Sequence, residues 1–227
     1  MDSERVILSS KQKALRINLN ENLYGTFAEI GAGQEVVRHF FRAGSASGTI
    51  AKAISAYDKD FSDALYGTEK DGRYVCQSRL KKMLLHEYNL VEDRIKRDKH
   101  PSKHFFAFAN TVATINYSKT SQGHGWFGVK FQTSPEASPS EVFLHARLHE
   151  SDALQQQMTT GKLGVNILYG CFFLNEDPKE LFIAVNEFWP ITVLPLLAVV
   201  SVSLTMSCVN LVSFNIILSL RNFSLCF

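Results

Sequence analysis

The sequence predicts an α+β fold in which N-terminal helices precede a partly antiparallel sheet, followed by a C-terminal transmembrane helix. Three observations lead to this prediction. Apolar residues recur at helical spacing over much of residues 34–99. Beyond Pro101 they form short runs or alternate, as strands do. Residues 188–220 contain no charged side chain. Helices followed by clustered strands are typical of α+β proteins.

The composition is ordinary for a globular protein and excludes few classes of function. The 227 residues carry a net charge of +2, so no nucleic-acid partner is expected. Four cysteines lie far apart without a C-x-x-C pair, which indicates neither a disulfide framework nor a metal site. The N-terminus has no apolar run of signal-peptide length, so secretion is disfavoured.

Three helices are predicted in the first half of the chain. Residues 34–42 place four apolar side chains on one helical face, and Gly44 ends the helix. A second helix is expected to begin near Thr49 and to end near Leu65. The third, over residues 78–99, has the clearest apolar stripe, and its other face is basic. Because acids are interspersed there, that face is either solvated or a phosphate-binding surface.

Strands and a further helix are predicted in the second half. Residues 104–109, 125–131 and 141–148 read as strands, and SPEASPS between the last two forms a turn of hairpin length. Residues 151–168 return to helical spacing.

The segment AEIGAGQEVV, residues 28–37, is the main candidate for a binding site. Helix N-termini expose unpaired amides and partial positive charge, so they can hold a phosphate or carboxylate. Both the first and the second predicted helix start from small-residue loops, which allow close approach of a ligand. We therefore expect a phosphate-bearing small molecule, with a nucleotide as one candidate cofactor. The predicted ligand-binding residues are Gly31, Gly33, Ser45, Ser47, Gly48, Thr49 and Lys52.

Alternative interpretations of this segment stay open. In one alternative the glycines serve turns alone and the serines only cap helices. EIGAG resembles the E-x-G-x-G-x-G motif of class I S-adenosylmethionine-dependent methyltransferases, but Glu35 stands at the third glycine position. A Rossmann fingerprint lacks the same glycine. No Walker motif is present, because Thr49 and Ile50 follow Gly48.

His124, in SQGHGW, is the one candidate for catalysis. S-x-G-H resembles the [HT]-x-G-H signature of nucleotidyltransferases, but the later S-x-T-x-x-R element of that family is not found. The alternative is a turn residue beside a strand. His145 and His149 would lie about 13 Å apart along a strand, so no zinc pair is expected.

Several longer stretches resemble a family of uncharacterised bacterial and plant proteins. The matching stretches lie between residues 17 and 181 and include YGTFAEIGAGQE, FFAFANTVAT, GHGWFGVKFQT, PSEVFLHARL and LQQQMTTGKLGVNILYG. Members are named inconsistently, as nicotinate-nucleotide adenylyltransferase or TonB-dependent receptor, and the residues support neither name. The family continues with a second half that this chain lacks, which implies that a site between the halves would be incomplete here.

The apolar C-terminus predicts a membrane anchor. Residues 196–220, if helical, would extend about 37 Å, enough to cross a hydrocarbon core of about 30 Å. The lipid bilayer is therefore an expected partner, with the globular part in the cytosol. Two alternatives are buried strands, because residues 200–207 alternate with period two, or a tail that is not part of the functional protein.

The sequence thus divides into an N-terminal arm (1–16), an α+β domain (17–182), an apolar segment (188–220) and a tail (221–227). The favoured hypothesis is a membrane-tethered domain that binds a nucleotide or another phosphate-bearing molecule. The alternatives are a non-enzymatic membrane protein and an inactive truncated paralogue. A nucleotidyltransferase or methyltransferase is less favoured, and enzymatic activity is left open.

Overall fold

The structure, a computed structural model, describes residues 7–186, 202–208 and 211–218. The described helices are α1 (Ser10–Asn18), α2 (Val36–Ala43), α3 (Lys59–Tyr66), α4 (Gln77–Arg94), α5 (Ala153–Phe173) and α6 (Pro178–Asn186). The described strands are β1 (Leu23–Gly31), β2 (Ile50–Ala56), β3 (His104–Ala113), β4 (Gly123–Phe131), β5 (Ser140–Leu148), β6 (Val202–Cys208) and β7 (Leu211–Leu218).

All seven described strands form one mixed sheet in the order β2-β1-β3-β4-β5-β6-β7. β1 pairs in parallel with both β2 and β3, whereas every later pair is antiparallel. The chain passes from β1 to β2 on one side and returns to β3 on the other. The strand order therefore reverses between β1 and β3, and we call the end of the sheet that holds their last residues the carboxyl edge. Ligands of open α/β sheets commonly bind at such a reversal.

Helices cover both faces of β1 and β3, since successive side chains of a strand point to opposite faces and nearly all of those on β1 and β3 are buried. On one face Phe27, Phe108 and Phe127 pack with α1, α2 and α5. On the other face Ala28 and Ala107 pack with α4. The helices predicted from residue 78 and from residue 151 are confirmed, as are the strands that begin at His104, Gly123 and Ser140.

The second predicted helix is wrong, and so is the expectation that helices alone fill the N-terminal half. Residues 50–56 form β2, and Asp58 caps α3 by accepting a hydrogen bond of 2.8 Å from the Phe61 amide. Ile50 and Ile54 are spaced for a helix, but every second residue of β2 is exposed, as at the border of a sheet. β1 was not predicted at all, because Gly25, small side chains and a buried acid interrupt its apolar pattern.

The predicted transmembrane helix is also wrong. Residues 202–208 and 211–218 are antiparallel strands that extend the sheet from β5, with Ser203 opposite His145. The period-two alternation, together with Ser, Thr and Asn spread around a helical circumference, fits a strand better than a membrane helix. Among the described residues, no helix has the length and apolarity to cross a bilayer. The membrane localisation rested on that helix and is overturned with it. Residues 187–201, 209–210 and 219–227 lie outside the described part.

Candidate functional site

The N-terminus of α2 lies at the carboxyl edge, directly after Gly31 and Gly33, as the glycine segment predicted. Its first amides, however, are already paired. Glu29 is only 2% exposed, and its carboxylate accepts hydrogen bonds from the amides of Val36 (2.9 Å) and Val37 (3.3 Å). The protein's own carboxylate therefore occupies the place where we expected a ligand anion.

Glu29 forms a buried polar group with Asn110 of β3, in which Asn110 Oδ1 alone of the Asn110 side-chain polar atoms lacks a hydrogen bond. The Asn110 side-chain amide donates to Glu29 Oε1 at 3.2 Å and to the Gly33 carbonyl at 2.9 Å. Burial raises the pKa of the Glu29 carboxyl to about 7, and nearby Glu35 adds a smaller increase. The hydrogen bonds to the carboxylate oppose that rise without cancelling it.

The two glycines are required by the backbone and by packing. Gly31 has φ +70°, a conformation that side chains disfavour. A Cβ on Gly33 would collide with the Asn110 side chain. These contacts explain both glycines without a ligand, so a ligand contact at Gly31 or Gly33 stays a prediction.

The other predicted ligand residues lie at the opposite edge of the sheet. Ser45, Ser47 and Gly48 are exposed around a short 3-10 turn at the start of β2, and no helix of ligand-binding length follows them. β2 is 7 residues long, so about 20 Å separates this turn from the carboxyl edge. A single small ligand cannot span both groups of predicted residues.

Thr49 and Lys52 are engaged within the protein. The Thr49 hydroxyl, buried at the start of β2, donates to the carbonyl of Asn18 at 3.1 Å. Lys52 pairs with buried Glu87 of α4 at 2.6 Å. Both side chains therefore have a structural partner, and their contact with a ligand also stays a prediction.

His124 belongs to a polar cluster on the face of the sheet that α4 covers further along. In the antiparallel ladder of β4 and β5, Trp126 lies opposite His145 and His124 lies opposite Arg147. Arg73, in the loop before α4, completes the cluster through its electrostatic effect on His124. We call these five residues the His–Arg face: Arg73, His124, Trp126, His145 and Arg147.

The rings of the His–Arg face are in contact. His145 Nε2 lies 3.4 Å from His124 Nδ1. The Trp126 and His145 rings are tilted by 32° with centroids 4.7 Å apart. All three rings are half-buried, whereas Arg73 and Arg147 are exposed. A solute can therefore reach the guanidinium groups, with the rings behind them.

The titratable side chains of this face are all basic, and Asp71 lies close by, where its carboxylate accepts a hydrogen bond of 3.1 Å from the Arg73 backbone amide. Burial lowers the pKa of His124, and the charges of Arg147 and Arg73 lower it further. Burial also lowers the pKa of His145, with smaller contributions from His124 and Arg147. In the described part of the chain, neither guanidinium takes part in an ion pair. The face can therefore bind an anion without first breaking an internal salt bridge.

The His–Arg face adjoins the point where the strand order reverses. The Thr111 hydroxyl, near the end of β3, donates to the Tyr74 carbonyl at 2.7 Å and holds the loop that carries Arg73. Thr111 lies opposite Trp126 in the ladder. The cluster is thus one strand away from the position that α/β folds commonly use for ligands.

Sequence reasoning singled out His124 and the nearby Trp126 as candidates but did not join them to His145 and Arg147. His124 and Trp126 are two residues apart, as are His145 and Arg147, and residues at that spacing share a face of a strand. That signal was present in GHGW and LHAR, but the pairing of β4 with β5 was needed to join the two pairs. The role of Glu29 had no local signal, because its partners lie on α2 and β3.

Comparisons with known proteins identify the fold. No family model and no curated protein matches this sequence. The chain is similar to the competence damage-inducible protein A (ComA) of Klebsiella pneumoniae, at 12% identity and a TM-score of 0.51, over 70% of this chain and 92% of that chain. A competence or damage-inducible protein of Enterobacter asburiae gives 9% identity and a TM-score of 0.50, over 71% and 95%.

A third similar structure is the competence/damage inducible protein CihA of Agrobacterium tumefaciens, at 15% identity and a TM-score of 0.49, over 80% of this chain and 99% of that chain. At such identities the likeness shows the fold alone. The fold is the mixed sheet with helices found in the Klebsiella and Enterobacter proteins.

Proposed function

We propose that this domain binds a phosphate-bearing small molecule at the His–Arg face. One observation carries the proposal: two guanidinium groups without a carboxylate partner in the described chain stand beside a contacting histidine pair and a half-buried tryptophan. The position beside the strand reversal supports it.

The residue types fit a phosphate joined to a planar ring. A guanidinium group matches the geometry of phosphate and forms paired hydrogen bonds with it. Trp126 offers an aromatic surface beside the cations, which favours a ligand with a ring of its own. Trp126 and Arg147 are held on the rigid backbone of β4 and β5. The loop that carries Arg73 is tied to β3 by the hydrogen bond from Thr111 to Tyr74. A nucleotide has both parts of such a ligand.

The histidine pair makes binding depend on pH. With ring nitrogens 3.4 Å apart, the two imidazoles resist carrying two positive charges. A bound phosphate supplies negative charge and raises the pKa of the pair, so binding takes up a proton. By linkage, proton uptake by the pair strengthens binding as the pH falls towards the lowered pKa values of the two histidines, while protonation of the phosphate, with a second pKa of about 6, acts in the opposite direction.

Titration calorimetry with the full chain tests the proposal, with nucleoside monophosphates and inorganic phosphate as ligands. We expect Arg147→Gln to weaken binding about tenfold, the loss of one charge-assisted contact. Arg94→Gln, at the exposed end of α4, is the matched control and should leave affinity unchanged. If none of these ligands binds at millimolar concentration, or if Arg147→Gln binds as tightly as the unmodified chain, the proposal is wrong.

A further inference from the structure

β2 forms one border of the sheet. Its described neighbour is β1, and no described strand lies on its other side. Among the described residues, the backbone N–H and C=O groups of β2 that do not point to β1 have no strand to pair with. An unpaired border of this kind is a template for association unless the protein protects it.

Two of the usual protections of a border strand, an inward-pointing charge and a bulge, are confined to Lys52 and to the start of β2. The strand contains no proline, and its single charge, Lys52, is bound to Glu87 of α4 at 2.6 Å. The exposed side chains along it are the small residues Ala51, Ala53 and Ser55. The register irregularity lies at its start and leaves the ladder from Lys52 onward regular. Nothing along the described strand prevents a second strand from approaching.

The two ends of β2 are chemically complementary. Beyond its last residue, Tyr57 is 76% and Phe61 57% exposed, and Asp58, Lys59 and Asp60 lie between them, with the Lys59 charge paired to Asp63 at 3.0 Å. Before its first residue, Lys103 Nζ lies 3.3 Å from the carbonyl of Gly48. Within the described chain, this ammonium group has no carboxylate partner.

We infer that β2 is the interface of a homodimer in which two copies of the strand pair antiparallel across a two-fold axis. Antiparallel pairing places the end of one β2 beside the start of the other. Asp58 and Asp60 of each copy then face Lys103 of the other, twice by symmetry. A parallel arrangement would put like charges together, and like charges at an interface select against it.

Sedimentation equilibrium of the full chain tests this inference. We expect a monomer–dimer equilibrium for the unmodified chain. Ser55→Lys adds a charge that points away from the packed face and lies near the axis, so it should raise the dimer dissociation constant at least about tenfold. Ser134→Lys, in the exposed turn between β4 and β5, should leave that constant unchanged.

Charge reversal provides a test that does not depend on the strand itself. Asp60→Lys should weaken the dimer, and the double variant Asp60→Lys with Lys103→Asp should restore it, while circular dichroism confirms that each variant is folded. A chain that stays monomeric at every concentration overturns the inference. So does a dimer that neither Ser55→Lys nor Asp60→Lys weakens.

Discussion

Two polar groups lie near the carboxyl edge, on opposite faces of the sheet, and they differ in how far the protein satisfies them internally. At the N-terminus of α2, Glu29 neutralises the helix end and Asn110 holds both Glu29 and the Gly33 carbonyl. On the His–Arg face, the guanidinium groups of Arg73 and Arg147 take part in no ion pair within the described chain. In the first group the helix amides are paired within the protein, although Asn110 Oδ1 is left without a hydrogen bond, whereas the guanidinium groups of the second have no ion-pair partner in the described chain.

This difference shows why a glycine-rich loop is weak evidence for a ligand. A helix N-terminus attracts any anion, and a buried carboxylate of the same chain satisfies it as well as a phosphate does. Neighbouring cations without an ion-pair partner are better evidence for a ligand, because placing them together adds little to the stability of the folded protein. The comparison therefore predicts that changes near α2 mainly affect stability, and that changes on the His–Arg face mainly affect binding.

Removing the Glu29 side chain should have the largest effect on stability. Glu29→Ala leaves the amides of Val36 and Val37 and the Asn110 amide without their acceptor, and should lower the free energy of unfolding by about 4 kcal/mol. Urea unfolding measures this. Glu35→Ala, which removes an ion pair with Arg38 near the surface, should cost less than about 1 kcal/mol. If Glu29→Ala and Glu35→Ala lose the same free energy of unfolding, Glu29 does not cap the N-terminus of α2.

The raised pKa of Glu29 should make stability fall between pH 5 and pH 8. The Glu29 carboxyl has a pKa of about 7 in the folded state, above its usual value of 4.5, so its protonation at low pH favours the folded state. This contribution is complete below about pH 4.5 and is lost as the pH rises through 7, a total of about 3 kcal/mol.

Other groups also titrate in this range, so the informative quantity is a difference. Glu29→Gln cannot titrate at this position, and its unfolding free energy should lack the decrease that the unmodified chain shows. Urea unfolding of both chains at pH 5, 6, 7 and 8 measures it. If the unfolding free energies of the two chains change with pH in parallel, Glu29 is ionised over the whole range.

Gly33→Ala should destabilise the protein by about 2 kcal/mol, because the new methyl group meets the Asn110 side chain that is bonded to Glu29. Gly48→Ala is the matched control, since nothing lies within 4 Å of a Cβ there. Thermal unfolding of both variants provides the comparison. If phosphate ligands bind to Gly33→Ala as they do to the unmodified chain, the α2 loop is not the binding site.

The smallest expected effect concerns His124. His124→Gln removes one imidazole from the pair and should weaken phosphate-ligand binding about fivefold at pH 6, with little change at pH 8. Calorimetry at both pH values measures the change. An identical loss at both would mean that the pair does not take up a proton on binding.

The sequence allowed part of the fold to be predicted, for physical reasons that can be named. α4 and α5 were predictable because long amphipathic or apolar runs leave few alternatives. β2 was not, since Ile50 and Ile54 satisfy a helical period and an alternating one equally well. The C-terminal strands were missed because length and absence of charge outweighed the alternation of residues 200–207.

The candidate site could be predicted less well than the fold. His124 was identified from its own neighbours, but the contact with His145 depends on the β4–β5 register. Glu29 satisfies amides that lie beyond the loop, on the following helix. A sequence shows which groups can pair, and only the fold shows which of them have already done so.

The most direct test follows the N-terminus of α2 and the His–Arg face in one nuclear magnetic resonance experiment. A nucleoside monophosphate is titrated into the isotope-labelled chain. We predict shifts of the Trp126 indole and of the His124 and His145 ring signals, while the amides of Val36 and Val37 stay unchanged. Shifts at Val36 and Val37 with unchanged signals from the His–Arg face would contradict the account.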